Sequence, residues 1–333
     1  MQLKIDPDRL KTLKLWILVP AANDQIHATF AQCLNNLYPV LAQYKIQTHM
    51  VYLPGDSLVT RARNNLADIF LAASSDPENH YALWLDCDIL FSPESVIQML
   101  SLDMDFLAAP YSKKGMHMDR ISEAARENWP NDRVQAVAGT PNVNWLIGPV
   151  RCDEPMPLME AGTGFWLMKR KVLTQLIEGG GAVKYRRCPE EKNHYGREFA
   201  YDFFRVGVWP ETLEYLSEDW WFCREWRKLG GTLFGCMWIK TSHIGMYHYQ
   251  MNMPAIADLL TATGGYINAE TRVKKEGNHE IEQGNKVSSG NGRERSSGIG
   301  AAGSSGDIIP ADLIARLTSH QAASAGDPGT LGG

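Results

Sequence analysis

The stretch Tyr81-Ala82-Leu83-Trp84-Leu85-Asp86-Cys87-Asp88-Ile89 decides how this chain is read. An apolar run passes directly into two aspartates, and Ser92-Pro93-Glu94 follows, a helix N-cap with proline at the first helical position. Strand, turn and helix in that order form the repeating unit of a layered α/β domain. Ligands of such sheets gather at the carboxyl ends of the strands, so both acids sit where a substrate belongs. Side chains at i and i+2 of an extended segment point the same way. Two carboxylates held that closely repel unless a cation lies between them. A hard cation, Mg²⁺ or Mn²⁺, takes few carboxylates plus phosphate oxygens and suits the pair. Asp-x-Asp alone also serves as a plain acidic turn after a strand.

Outward from this point the alternation continues. Leu15–Val19 is a buried strand ended by Pro20, Asp24 caps a helix running toward Leu41, and Ile46–Leu53 is the second strand. From Leu58 to Ala73 the pattern is helical: Val59, Ala62, Leu66, Ile69, Phe70 and Ala73 share one face, which turns Arg61 and Asn64 outward. Tyr81–Leu85, Phe106–Ala109, Phe165–Met168 and Phe234–Ile239 are further strands. Residues 112–160 mix a helical patch, Asp119–Glu127, with Gly and Pro punctuation, and form an elaborated insertion. In residues 277–306, 8 Gly and 6 Ser fill 14 of 30 positions, too little apolar surface to offset ordering entropy. The expected organisation is therefore one α/β domain over residues 1–270, a flexible linker over 271–306 and a disordered tail over 307–333. In that tail Leu313, Ile314 and Leu317 mark a short amphipathic helix.

Composition narrows the function classes. The 333 residues carry 33 basic and 38 acidic side chains, a net −5, so no global positive field announces nucleic acid or an anionic membrane. No uncharged apolar run reaches membrane-spanning length, and the N-terminus lacks the hydrophobic stretch of a signal peptide. The six cysteines form no C-x-x-C pair and suit reduced thiols. A cytoplasmic location is expected, that of the host cell if the protein is viral.

Two further clusters carry chemistry. Ser217-Glu218-Asp219-Trp220-Trp221 places an N-cap and two acids in a first helical turn, where the helix dipole favours carboxylates without any function being needed. Thr241-Ser242-His243-Ile244-Gly245-Met246-Tyr247-His248-Tyr249 suggests a loop that closes over something, although a lone His is more often structural.

The order of Arg61-Ala62-Arg63-Asn64, Asp86-Cys87-Asp88, Ala109-Pro110-Tyr111-Ser112-Lys113-Lys114, Gly162-Thr163-Gly164-Phe165, Ser217-Glu218-Asp219 and Ser242-His243 resembles the metal-dependent nucleotide-sugar glycosyltransferases of the GT-A fold. In particular it is similar to the small family-2-like enzymes of phages and large viruses, over about residues 13–266. The resemblance implies a Rossmann-like sheet with helices on both faces. It also implies a nucleoside-diphosphate sugar, with a UDP-sugar as the first choice, as donor and Mn²⁺ or Mg²⁺ as cofactor. Pro20 and Ala21 would end the first strand at the nucleotide base, with Arg61, Arg63 and Asn64 approaching the nucleotide or diphosphate. Asp88 would bind the metal directly, Asp86 the ribose or a metal-bound water, and His243 would complete the shell, with His248 as runner-up. Lys113 and Lys114 would belong to the sugar-side loop, in which Ser112 replaces the family's usual proline. Gly162, Thr163 and Gly164 would approach the sugar, and a plain turn is an equal reading of them. Asp219 would be the base that activates the acceptor hydroxyl, with Glu218 next.

Other classes share some of these residues. A nucleotide- or carbohydrate-binding module without catalysis would not need the acids, and a phosphatase or nuclease usually gathers more carboxylates around two metals. Two acceptors are open, a glycan and a hydroxymethylated pyrimidine in phage-type DNA. The DNA reading draws on Lys113-Lys114, Lys169-Arg170-Lys171, Arg186-Arg187 and Arg224 with Arg227-Lys228, interleaved with Tyr185, Tyr195, Trp209, Trp220 and Trp221.

Overall fold

Residues 3–146 and 148–262 are described by a computed structural model; the expectations for the linker and the tail lie outside the described residues. A short helix α1 (Pro7–Leu10) leads into β1 (Lys14–Ala21), α2 (Ala28–Gln43), β2 (Gln47–Pro54), α3 (Val59–Ala73) and β3 (His80–Leu85). Next come β4 (Ile89–Leu90), α4 (Pro93–Ser101), β5 (Phe106–Ala108), β6 (Ser112–Met116), α5 (Met118–Arg126) and α6 (Asn131–Ala136). Then follow β7 (Gly139–Pro141), β8 (Val143–Trp145), β9 (Met156–Ala161), β10 (Phe165–Lys169) and α7 (Arg170–Glu178). The chain continues through β11 (Val183–Arg186), α8 (Pro189–Tyr195), β12 (Phe199–Asp202), β13 (Gly207–Val208) and β14 (Tyr215–Leu216). It closes with α9 (Glu218–Lys228), β15 (Leu233–Gly235), β16 (Thr241–Ile244), β17 (His248–Met251) and α10 (Met253–Ala262).

The architecture is mixed α/β. Eight strands form the central sheet in the order β2-β1-β3-β10-β5-β15-β9-β8. β1 runs parallel to β2 and β3, and β15 parallel to β5; β10 and β9 run against their neighbours. Both faces are covered, so β1 alternates between two cores. Trp16 and Leu18 pack with α3, α7 and α9, while Leu15, Ile17 and Val19 pack with α2 and α4. That two-sided burial is why the strand reads as an unbroken apolar run.

Several local expectations are corrected. β1 does not stop at Pro20, which pairs with Leu53, and Ala21 pairs with Pro54. The β3 ladder ends at Leu18, so the last residues of β1 have a neighbour on one side only, where proline is tolerated. Asp24 does not cap α2; it lies in a 3₁₀ turn with φ 57, and His27 holds the N-cap position. The strand expected over Phe234–Ile239 is only Leu233–Gly235. Residues 112–160 are not wholly peripheral, because β8 and β9 complete one edge of the central sheet. Thr241–Tyr249 is a hairpin, not a loose loop: β16 pairs with β17 and, on its other side, with β4.

Candidate active site

The turn after β3 sets the first acid. Ile89 donates its N–H to the Asp86 carbonyl at 3.1 Å, so Asp86-Cys87-Asp88 is a tight turn and not an extended segment. The two carboxylates consequently do not share one partner. Arg63 donates to Asp86 Oδ1 and Oδ2 at 2.9 and 3.2 Å. Asp88 Oδ2 instead accepts from Lys114 Nζ at 2.6 Å and lies 3.3 Å from His243 Nε2. The expected side-by-side pair is replaced by two separately neutralised acids.

Sheet register explains the histidine. His243 stands opposite Ile89 in the β16–β4 pairing, and Ile244 N–H reaches the Asp88 carbonyl at 2.8 Å. His243 Nδ1 lies 2.7 Å from the Ser112 carbonyl, which can only accept, so Nδ1 carries the proton. Nε2 is thereby turned toward Asp88, the orientation a metal-binding histidine needs. Burial pushes the Asp88 carboxyl up, but His243 and Lys114 outweigh it and hold it at about 2. His248, the runner-up, is an exposed residue of β17.

Arg63 links this turn to the second acidic pair. Expected to approach the nucleotide or diphosphate, it is instead buried on α3 and bonds Glu218 as well as Asp86. Burial opposes its charge, and the two carboxylates hold its guanidinium above its ordinary range. Asn64 is buried too. Its amide donates to Asp202 at 2.7 Å and its oxygen accepts from Phe203 and Phe204 N–H at 2.9 and 3.0 Å. Around Asn64 the outer face of α3 is thus buried, beneath the end of β12 and the two phenylalanines that follow it, while Arg61 stays exposed.

Glu218 and Asp219 occupy the first turn of α9, as the sequence indicates. Ser217 sits at the N-cap but donates its hydroxyl to Asp219 Oδ1, which also accepts from Trp220 N–H at 2.8 Å. No hydrogen bond reaches Asp219 Oδ2 from the described residues. Burial, and then the neighbouring Glu218, push the Asp219 carboxyl above its usual value.

Tyr111 is the hub that sequence reasoning left unassigned. Its hydroxyl accepts from Asn142 at 2.8 Å and from Gly164 N–H at 3.2 Å, and its ring meets His243 edge-on at 5.4 Å. A β-carbon at Gly162 would collide with Asn142 and the Tyr111 hydroxyl. At Gly164 it would lie 2.8 Å from the Tyr111 ring and 3.1 Å from Asp86 Oδ2. These glycines are therefore required by Tyr111 and Asp86, whatever else approaches them. Thr163 is buried between them, its hydroxyl without a hydrogen-bond partner among the described residues. Tyr111 stands in the quoted Ala109-Pro110-Tyr111 run, and an aromatic after a strand-ending proline was the available signal.

A cavity of about 460 Å³ opens beyond the carboxyl end of β2. Leu53, Pro54, Gly55 and Asp56 line one side; Arg61, Asn65, Glu191 and Tyr195 line others. Pro20 and Ala21 pair with Leu53 and Pro54 behind it. Arg61 faces this cavity as an exposed side chain, held by Asp56 at 2.8 Å. Arg187, wholly buried, stacks on Tyr195 at 4.6 Å and bonds Asn65 and Asp68 at 2.9 and 2.7 Å. Lys113 Nζ lies 6.0 Å from the centre of the Trp220 ring.

Asp88 and His243 are two possible metal ligands, and among the described residues no group of three or more His, Cys, Asp or Glu side chains is placed to hold an ion. Such a pair fits a hard cation that draws its remaining ligands from substrate phosphate and water. Among the described residues no helix is long and apolar enough to cross a membrane.

No protein-family profile matches the chain, and no curated protein does. Among solved structures, A197 from STIV aligns with a TM-score of 0.38 and 13% identity, over 72% of this chain and 94% of that one. A likeness of that size carries no weight for fold or function.

Proposed function

We propose that this chain is a GT-A-type glycosyltransferase that moves a sugar from a nucleoside-diphosphate sugar to a saccharide hydroxyl. The observation that carries the reading is the chain of contacts that links three acids through Arg63, Tyr111 and His243. Asp86 follows β3 and bonds Arg63, Arg63 bonds Glu218 next to Asp219, and Asp88 faces His243, whose ring meets Tyr111; Arg61 and Asn65, which flank Arg63 on α3, line a cavity of nucleoside size. Arg61 and Tyr195 would receive the nucleoside, and Lys113 and Lys114 the diphosphate. Asp88 and His243 would hold a Mg²⁺ or Mn²⁺ ion, which when bound neutralises charge on the leaving diphosphate.

Asp219 does the proton work. The acceptor oxygen bonds the anomeric carbon, the bond from that carbon to the diphosphate oxygen breaks, and the acceptor proton passes to Asp219 Oδ2. Its Oδ1 is fixed by Ser217 and Trp220, so the carboxylate is oriented with one oxygen open. A raised pKa brings it closer to the value a general base needs. Glu218, committed to Arg63, instead holds the guanidinium against the turn.

Ion pairing favours a saccharide over DNA. Lys169 and Lys171 are taken up by Glu78, Asp103 and Asp105, Arg186 by Glu198, Arg187 by Asp68, Arg224 by Glu160 and Glu214, and Lys228 by Glu211. Trp209 and Trp221 are buried against each other at 5.0 Å and offer no stacking platform. Among the described residues of those clusters, only Lys113, Arg170 and Arg227 stand outside an ion pair to track phosphates.

The test is a panel of UDP-, GDP- and other nucleotide-sugars, read for hydrolysis and for transfer to simple saccharides. Turnover lost in chelator and regained with Mn²⁺ or Mg²⁺ is expected, and Asp88→Asn should abolish it with the fold intact. Full activity in excess chelator would remove the metal, and no turnover with any donor would remove the function. A hexose added to hydroxymethylcytosine- or hydroxymethyluracil-containing duplex, with none to saccharides, would move the acceptor to DNA.

A further inference from the structure

The ion pair of Lys114 with Asp88 is the contact at this site that a diphosphate-binding role for the lysine leaves unexplained. Its ammonium lies 2.6 Å from Asp88 Oδ2, the same oxygen that faces His243 Nε2 at 3.3 Å. It therefore stands at the face of Asp88 that a cation shared with His243 would use. A divalent ion and an ammonium cannot both lie against one carboxylate oxygen without strong mutual repulsion. The three partners also differ in exposure: 45% for the Lys114 side chain, against 19% and 14% for Asp88 and His243. The lysine is the replaceable partner, on a flexible four-carbon stem.

Its placement is built in. Lys114 lies two residues along β6 from Ser112, whose carbonyl orients His243. Its stem passes over Gly245, where a β-carbon would come within 3.3 Å of Cδ and 3.7 Å of Cε. Strand β6 thus delivers both the group that orients the histidine and the cation that occupies the acid.

We infer that Lys114 is a resident counter-cation that competes with a divalent metal for Asp88 until an anionic diphosphate draws the ammonium away. The inference rests on Asp88 and His243 being the cation site of the proposed function. A phosphate oxygen arriving at the site offers Lys114 a second anion, frees Asp88 Oδ2 and supplies ligands of its own. Metal binding without the diphosphate is held weak, and binding order is imposed: the metal enters with the diphosphate.

Mn²⁺ alone, titrated into the full-length protein and followed by electron paramagnetic resonance, tests this without turnover. Lys114→Met keeps the stem over Gly245 and removes the charge, and should bind Mn²⁺ roughly tenfold or more tightly than the unsubstituted chain. Lys114→Arg should bind it as weakly as the unsubstituted chain. Adding Asp88→Asn to Lys114→Met should erase the gain, which assigns it to this carboxylate. Equal or weaker Mn²⁺ binding by Lys114→Met, or a gain that survives Asp88→Asn, overturns the inference. The donor panel separates the two readings: a lysine-dependent Mn²⁺ affinity with no sugar turnover would leave the competition standing and the transferase fallen, and the reverse result the opposite.

Discussion

Arg63 donates to both carboxylate oxygens of Asp86, at 2.9 and 3.2 Å, while its other terminal nitrogen reaches Glu218. One buried guanidinium on α3 therefore ties the turn after β3 to the first turn of α9. It also sets apart the two aspartates of the turn, because Asp86 is satisfied inside the protein and Asp88 is left to Lys114 and His243.

Removing that guanidinium should cost stability more than binding. Arg63→Met leaves two carboxylates without their shared cation, and breaking a buried pair from one side costs about 3–5 kcal/mol. Chemical denaturation of the variant should show that loss. Combining it with Asp86→Asn and Glu218→Gln should recover most of it, and no recovery would mean that Arg63 acts through packing alone.

Asp88 and Asp219 should push the pH dependence of stability in opposite directions. The Asp88 carboxyl is depressed, so its contribution is full above its unfolded value and is lost as pH falls from about 4 through about 2. That change is about 2 kcal/mol by the shift alone, and Asp88→Asn should flatten the stability curve over the same interval. The Asp219 carboxyl is raised, so the folded chain holds its proton longer and this group favours folding less as pH climbs through the raised value. Urea midpoints measured across pH for each variant check both signs.

Asp219→Asn should cut turnover by roughly 10²–10⁴ and leave nucleotide affinity unchanged, the usual loss for a positioned base. The amide can still accept from Ser217 and Trp220 through its oxygen, so the fold should gain or hold stability at neutral pH. A product with the donor's anomeric configuration retained would return Asp219 to an acceptor-positioning role.

Gly162→Ala should be damaging although it adds one methyl group. The β-carbon meets Asn142 and the Tyr111 hydroxyl, and relieving that clash moves the ring that abuts His243. Overpacking of this kind costs about 1–3 kcal/mol. Gly115→Ala, with open space around its β position, is the control and should be neutral.

Tyr195→Ala tests the cavity. Arg187 covers one side of the ring, and loss of a stacking partner for a base costs about 1–3 kcal/mol, roughly 10- to 100-fold in nucleotide affinity. Calorimetry with UDP and GDP reads it directly. Unchanged affinity for both would place the nucleoside elsewhere.

The sequence by itself determined the strand-turn-helix rhythm, because burial on both faces demands unbroken apolar strands and because Ser92-Pro93 starts a helix by local chemistry. It also determined that Asp86, Asp88, Glu218 and Asp219 stand at element ends, where turns and first helical turns accept acids. Only the tertiary structure decided their partners. The period of α3 marks Ala62, Leu66 and Phe70 as core but says nothing of Arg63 and Asn64, which are buried by a segment more than a hundred residues away in sequence. Two aspartates two positions apart look like one site in an extended strand, and the hydrogen bond from Ile89 N–H to the Asp86 carbonyl makes them two. Local propensity acts over a few residues, whereas the pairing of a buried charge depends on whatever the fold brings beside it.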